Sequence, residues 1–282
     1  MQLRSVLNDI DVAAIKTGML ANADVVRAMS RMLRALPSLP PLVIDPVCVS
    51  TSGHTLLERD AVCTLITELL PLATVLTPNT SEAALLLQIR HQVLSSVGNA
   101  DPGTPTPLPM ASIQDMVGTA RALCALGPQA VLLKGGHVRR GAIRLSDAEA
   151  AANTTALENL RVDKVEYDGL VQRGANMEVL IRAAAASHEP TIMGRDEDED
   201  APVVVDVLCE MADRCGESGE EIGGTRCTLF VRPYLDSTST HGTGCTLGAA
   251  LACALARGLS RTLFISRLSP LSLQAFRCAH SR

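Results

Sequence analysis

The chain has 282 residues, 47% hydrophobic and 20% charged, enough apolar material for one large α/β domain or two small ones. Aromatic residues make up 2%, tryptophan is absent and the net charge is −5, which excludes a base-stacking platform and the basic footprint of a nucleic-acid binder. Nine cysteines occur without a Cys-x-x-Cys pair, so neither a zinc ribbon nor a redox motif is suggested, and reduced thiols in a cytoplasmic protein are the simplest reading.

In chain order, residues 1–12 place Asn8 and Asp9 where a secretion signal would need an apolar run. Val12–Lys16 reads as a short strand, and Asn22 or Asp24 caps a helix to Leu36. Pro41–Asp45 reads as a buried strand ending in Asp-Pro, and Glu58–Leu70 as a helix. Ala73–Thr77 is a strand, Ser81–Gln88 and Ser112–Leu126 are helices, and Ala130–Lys134 is a further strand. Strands that are apolar throughout and separated by helices predict a parallel sheet covered on both faces, with ligands bound along the strand C-termini.

Residues 95–109, rich in Ser, Gly, Pro and Thr, read as a loop. Residues 139–201 hold an Ala run and an acidic tract at 195–200, and are expected to be a disordered, solvated insertion with a short helix near 177–186. Pro202–Leu208 and Arg226–Arg232 read as partner strands. A small-residue helix then runs from Cys245 to Arg257, closed by Gly258 in the capping position. Residues 261–282 show no clear period, and the longest apolar runs, such as 247–255, are too short to span a bilayer.

The chemistry concentrates at Gly242-Thr243-Gly244-Cys245, where two glycines flank a Thr at a helix start. A helix N-terminus presents unpaired N–H groups, and glycine lets that backbone approach a phosphoryl group closely. A tight turn before a buried helix would use the same glycines. Cys245 at such a terminus is expected to have a lowered pKa and to serve as a base, although a free Cys is more often a small buried hydrophobe. Asn79 and Glu82 stand at capping-box spacing. Asp45 and Lys134 each end a strand at the ligand edge, where a turn carboxylate or a surface Lys would also fit. Met19 is either core filling or part of a pocket.

Residues 240–258, THGTGCTLGAALACALARG, resemble the closing motif of ribokinase-like kinases, and Cys245 after the Gly-Thr-Gly resembles the hydroxymethylpyrimidine/phosphomethylpyrimidine kinases of thiamine biosynthesis. Four further segments resemble that family in order: Ile15–Leu20; Val43–Val47 with Ser52-Gly53; Leu70–Asn79 with Glu82; and Leu133–His137. The resemblance covers most of 1–138 and 202–260 and implies a three-layer α/β/α fold with a mostly parallel sheet lacking its first strands. It implies ATP-dependent phosphorylation of hydroxymethylpyrimidine and its monophosphate. Gly242, Thr243, Gly244, Cys245 and Lys134 would act in catalysis and Gly18 and Met19 would bind substrate. Asn79, Lys134 and Thr243 would bind nucleotide, and Glu82 and Asp45 would support Mg²⁺, Glu82 through water. Partners would be a small pyrimidine and ATP, with no nucleic acid or membrane and room for a homo-oligomer.

Three departures follow from the same resemblance. The family's opening strand and Gly/Ser-rich loop have no counterpart, residues 139–201 are atypical, and the tail after Ser260 does not match the closing helices. The expectation is therefore a kinase domain over 1–260, incomplete at its N-terminus, as a truncated or mis-spliced gene model would produce. The rivals are a pyridoxal or pyridoxine kinase, which shares the fold, and a remnant that binds nucleotide without turnover.

Overall fold

The computed structural model describes residues 2–49, 56–96, 110, 112–135, 162–174, 177–182, 203–211, 225–233 and 242–261; at 96, 162–174, 177–182, 203 and 231–233 only the backbone is described. The chain begins α1 (Gln2–Asp9), β1 (Ile15–Thr17), α2 (Ala23–Arg34), β2 (Leu42–Ile44), α3 (Arg59–Thr64) and β3 (Val75–Leu76). It continues α4 (Thr80–Ser96), α5 (Ile113–Cys124), β4 (Ala130–Leu133), β5 (Val162–Gly174) and β6 (Met177–Arg182). It closes with β7 (Val203–Met211), β8 (Thr225–Pro233) and α6 (Thr243–Ala256).

The strands form one eight-stranded sheet in the order β1-β2-β3-β4-β7-β8-β5-β6. The first four are parallel neighbours, so their C-termini share one edge. Strand β7 is antiparallel to β4 and to β8, β5 runs parallel to β8, and β6 runs antiparallel to β5.

Alternation along the strands divides the core between two faces. Leu42, Ile44, Leu76, Val131, Leu133, Val205 and Val207 point into a large cluster shared with residues of α2, α3, α4 and α5. Val43, Val75, Ala130, Leu132, Leu208 and Phe230 point the other way, against Leu251 and Ala252 of α6. A sheet buried on both faces is what continuous Val, Leu and Ile runs require, and it makes the three layers the sequence predicts.

Helix ends follow local chemistry. The Asn22 side chain accepts from the Val25 N–H and starts α2. Ser112 and Asp115 form a reciprocal capping box on α5. Gly258, at φ 73°, takes the left-handed turn after α6; its N–H bonds the Leu255 carbonyl and the Leu259 N–H bonds Ala254.

Four expectations are corrected. Helix α1 lies where no element was expected. The predicted 58–70 helix is α-helical only to Thr64; it then widens to a π turn at Leu65–Leu69 and tightens to a 3₁₀ turn at Leu70–Leu72. There the Glu68 carbonyl is taken by Ser30 Oγ at 2.8 Å and Arg34 Nη2 at 2.9 Å, and Pro71 has no N–H to continue the ladder. Helix α4 runs to Ser96, beyond Gln88 and into the predicted loop, because Ile89 is buried and Val93 packs on the core. Strands β5 and β6 occupy part of the region read as a disordered insertion, and β6 replaces the helix predicted near 177–186. Both carry β-branched residues, and pairing with β8 satisfies backbone groups of β5 that a loop would leave to water. The acidic tract at 195–200 and the tail at 262–282 lie outside the described residues. No described helix is long and apolar enough to cross a membrane.

Candidate active site

The shared edge of the parallel strands gathers the charges. Asp45 directly follows β2 and is 2% exposed. Its Oδ1 accepts from Lys134 Nζ at 3.1 Å, and its Oδ2 faces Lys16 Nζ at 3.3 Å as a charge pair without hydrogen-bond geometry. Lys134 directly follows β4 and its side chain is 13% exposed, while Lys16 lies in β1 and is 20% exposed. One carboxylate thus holds two ammonium groups that come from strands on either side of it in the sheet.

The first two turns of α6 cover this triad. A Cβ on Gly244 would lie 2.9 Å from Lys134 Nζ. A Cβ on Gly248 would lie 3.1 Å from Lys16 Cε and 3.8 Å from Asp45 Cβ. Gly242, at φ 81°, is the residue before the helix, a backbone state that favours glycine. The first two turns therefore rest on the lysines, Gly244 on Lys134 and Gly248 on Lys16, and these small residues make the contact sterically feasible.

Glu82 lies beside the triad and is buried. The Asn79 N–H donates to Glu82 Oε2 at 2.8 Å, and the Glu82 N–H donates to Asn79 Oδ1 at 2.8 Å, the capping box expected at the start of α4. Burial pushes the Glu82 carboxyl up, and Lys134, the Asn79 N–H, and the Cys48 N–H oppose that rise. The Cys48 thiol, buried near Glu82 and Asp45, is pushed up to about 12, first by burial and then by both carboxylates. Between Asp45 and Cys48, Val47 has φ 39°, a costly left-handed state for a β-branched residue.

Cys245 sits in the first turn of α6 and is exposed. Its thiol pKa is raised, not lowered as expected. Partial desolvation contributes most, then the charge of Asp45; Lys16 opposes it, Asp45 raises it further as hydrogen-bond acceptor, and Lys134 opposes it. Desolvation, helped by the neighbouring carboxylate, thus favours the protonated thiol.

The structure thus brings together Asp45, Lys134, Asn79, Glu82, Gly242, Thr243, Gly244 and Cys245, all singled out from the sequence. Gly18 adjoins the group, since a Cβ there would meet Lys16 Nζ at 3.5 Å. Met19 is 57% exposed, which removes the core-filling alternative. Sequence reasoning missed Lys16 and Cys48, although both lie in segments it quoted or adjoined. It also missed Gly135, whose N–H donates to Asp206 Oδ1 at 2.8 Å. Thr240, His241, Ser52, Gly53, Gly136 and His137, which the sequence motifs include, fall outside the described residues.

A directly bound metal does not fit these residues. Each Asp45 oxygen faces a lysine, Glu82 accepts from two backbone N–H groups, and among the described residues no three His, Cys, Asp or Glu side chains converge. Asp45, with a lysine at each oxygen, is placed to hold those ammonium groups rather than to ligate an ion directly.

Comparison with known proteins gives the family and the fold. The phosphomethylpyrimidine kinase family model matches residues 1–101 and 220–265, more than half of the chain. The hydroxymethylpyrimidine/phosphomethylpyrimidine kinase of Mycobacterium tuberculosis is 41% identical over 138 residues, covering 49% of this chain and 43% of that protein. The Streptomyces coelicolor protein of the same name is 30% identical over 259 residues, covering 92% of this chain and 61% of that one. The chain therefore spans less than half the length of the mycobacterial relative. Among solved structures, Clostridium difficile phosphomethylpyrimidine kinase aligns with TM-score 0.53 at 22% identity, covering 99% of this chain and 73% of that one. The ADP complex of Bacillus subtilis pyridoxal kinase aligns with TM-score 0.52 at 24% identity, covering 94% and 64%. At these identities the structural likeness establishes the ribokinase-like fold. The matched ranges hold Lys16, Asp45, Glu82 and the Gly242–Cys245 turn, and by them the chain belongs to the phosphomethylpyrimidine kinase family.

Proposed function

We propose that this chain is an ATP-dependent kinase that phosphorylates hydroxymethylpyrimidine and then its monophosphate. The observation that supports this most is the Lys16–Asp45–Lys134 triad directly beneath the first two turns of α6. Phosphoryl transfer demands positioning and neutralisation of spread negative charge more than covalent chemistry. Two ammonium groups and a glycine-lined helix start supply both.

In this reading Asn79, Thr243 and Lys134 hold the donor phosphates, and the Gly242–Gly244 turn cradles the moving phosphoryl. Gly18 and Met19 flank the acceptor ring. As the acceptor oxygen bonds phosphorus and the bond to the ADP oxygen breaks, the hydroxyl proton passes to Cys245. Only the thiolate can take it. Asp45 holds that form down, while Lys16 and Lys134 favour it. One kinase domain spans 1–260 in this reading and works on small molecules in the cytoplasm.

The test is ADP release by the purified chain, with products identified by mass spectrometry. Hydroxymethylpyrimidine, its monophosphate and pyridoxine would be offered side by side. Mono- and diphosphorylated pyrimidine products are expected. Turnover of pyridoxine alone would favour the pyridoxal-kinase reading, and no turnover of any acceptor would favour a non-catalytic nucleotide binder.

A further inference from the structure

We propose that Lys16 is the acceptor-side cation of this site: it receives the phosphate that the acceptor already carries in the second transfer, and so sets the preference for phosphorylated acceptor over free alcohol. This rests on the kinase reading above.

Sheet order carries the first part of the argument. Lys16 comes from β1, Asp45 follows β2 and Lys134 follows β4, in the order β1-β2-β3-β4. The lysines therefore flank the carboxylate along the ligand edge. Lys134 lies on the Asn79 side, tied there by a backbone bond from its N–H to the Pro78 carbonyl at 2.9 Å and a bridge to Asn79. Lys16 lies on the Gly18 side, its Nζ 3.5 Å from where a Gly18 side chain would begin, and the next residue, Met19, is exposed.

The two ammonium groups are also held differently. Lys134 hydrogen-bonds Asp45 Oδ1 and lies in the field of Glu82 as well. Lys16 faces Oδ2 at 3.3 Å without hydrogen-bond geometry, so its three N–H donors are not committed to that carboxylate. One Asp45 carboxylate shared by two ammonium groups leaves positive charge on the acceptor side, matched by an anion there.

Chemistry separates the two transfers. An alcohol acceptor must lose its proton as the new O–P bond forms. A phosphate monoester is mostly ionised at neutral pH, so its oxygen attacks phosphorus and ADP leaves without a base. Cys245 is then needed chiefly in the first transfer and Lys16 chiefly in the second.

The experiment measures kcat/KM for hydroxymethylpyrimidine and for its monophosphate in wild type, Lys16→Met, Lys16→Arg and Cys245→Ala, with thermal unfolding of each variant as the fold control. Lys16→Met is expected to lower both values, because Asp45 loses a partner. The ratio of monophosphate to alcohol should fall by at least about tenfold, the scale of one charge-assisted contact. Lys16→Arg should hold the ratio within about threefold of wild type, and Cys245→Ala should move it in the opposite direction. An unchanged ratio in Lys16→Met overturns the assignment and leaves the kinase reading standing. So does a wild-type chain that phosphorylates the alcohol but never the monophosphate. A wild type that phosphorylates neither removes the kinase reading itself, and this assignment with it.

Discussion

The Lys134 ammonium stands 2.9 Å from the point where a side chain on Gly244 would begin. The α6 start and the lysine after β4 are thus in contact only because residue 244 has no Cβ. Gly244→Ala should displace the lysine rather than unfold the protein, since the atom in the way is the end of a flexible chain. Turnover is expected to fall on the order of 10–100-fold, below the loss usual for removing a whole oxyanion donor. Urea unfolding should show a stability change under about 1 kcal/mol. A full loss of folding would contradict this contact.

Gly135 presents the opposite case. A Cβ there would run into the Val205 carbonyl oxygen and lie 3.0 Å from Met116 Cε. Backbone cannot swing aside, so Gly135→Ala should cost more than about 3 kcal/mol, the upper end for overpacking. Gly118, exposed within α5 with nothing within 4 Å of a Cβ, is the matched control. Gly118→Ala should gain roughly 0.5–1 kcal/mol from helix propensity. Thermal unfolding of the two variants should move in opposite directions.

Cys245 makes a prediction in pH. Its thiol is raised above the ordinary value, so the thiolate is scarce at neutral pH and grows as pH rises. The rate of alcohol phosphorylation should therefore rise in the alkaline range, at higher pH than an ordinary thiol would give. Cys245→Ala should remove that rise and lower the alkaline rate by about 10²–10⁴-fold, the usual worth of a base. A wild-type profile that stays flat well into the alkaline range would take the thiol out of proton transfer.

Cys48 makes another, in stability. Its folded value is about 12, above the ordinary thiol value of about 8.5 that it regains on unfolding. The folded state therefore holds the proton more tightly. The stabilisation is complete below about pH 8.5 and is lost as pH rises towards 12, at up to about 1.4 kcal/mol per pH unit for one proton. In urea titrations at about pH 8, 9 and 10, Cys48→Ala should have the shallower loss. Equal slopes would show that the thiol ionises in the folded protein as it does unfolded.

Much of the site was legible as residue types at strand and helix ends. The Asn79 and Glu82 spacing announced the capping box that forms, and Gly258 announced the end of α6. Lys16 was not legible. A lysine within a three-residue strand looks like any edge lysine until Asp45, remote in the chain, is placed 3.3 Å from it. The π turn at Leu65–Leu69 was hidden for a similar reason: Ser30 and Arg34 on α2 draw on the Glu68 carbonyl, and local pattern carries no record of α2. The Cys245 expectation erred because a helix terminus can be read from sequence, whereas the desolvation of the thiol and the Asp45 carboxylate beside it cannot.

By itself the sequence determined the alternation of apolar strands and helices, the two-faced burial of the sheet and the glycine turn before α6, because all three follow from local periodicity and backbone freedom. Only the tertiary structure decided which charges meet. It joined Lys16, Asp45 and Lys134 across the parallel strands, laid α6 upon them, and set Cys245 beside a carboxylate. Electrostatics depends on distances between residues remote in the chain, and those distances exist only once the sheet has formed.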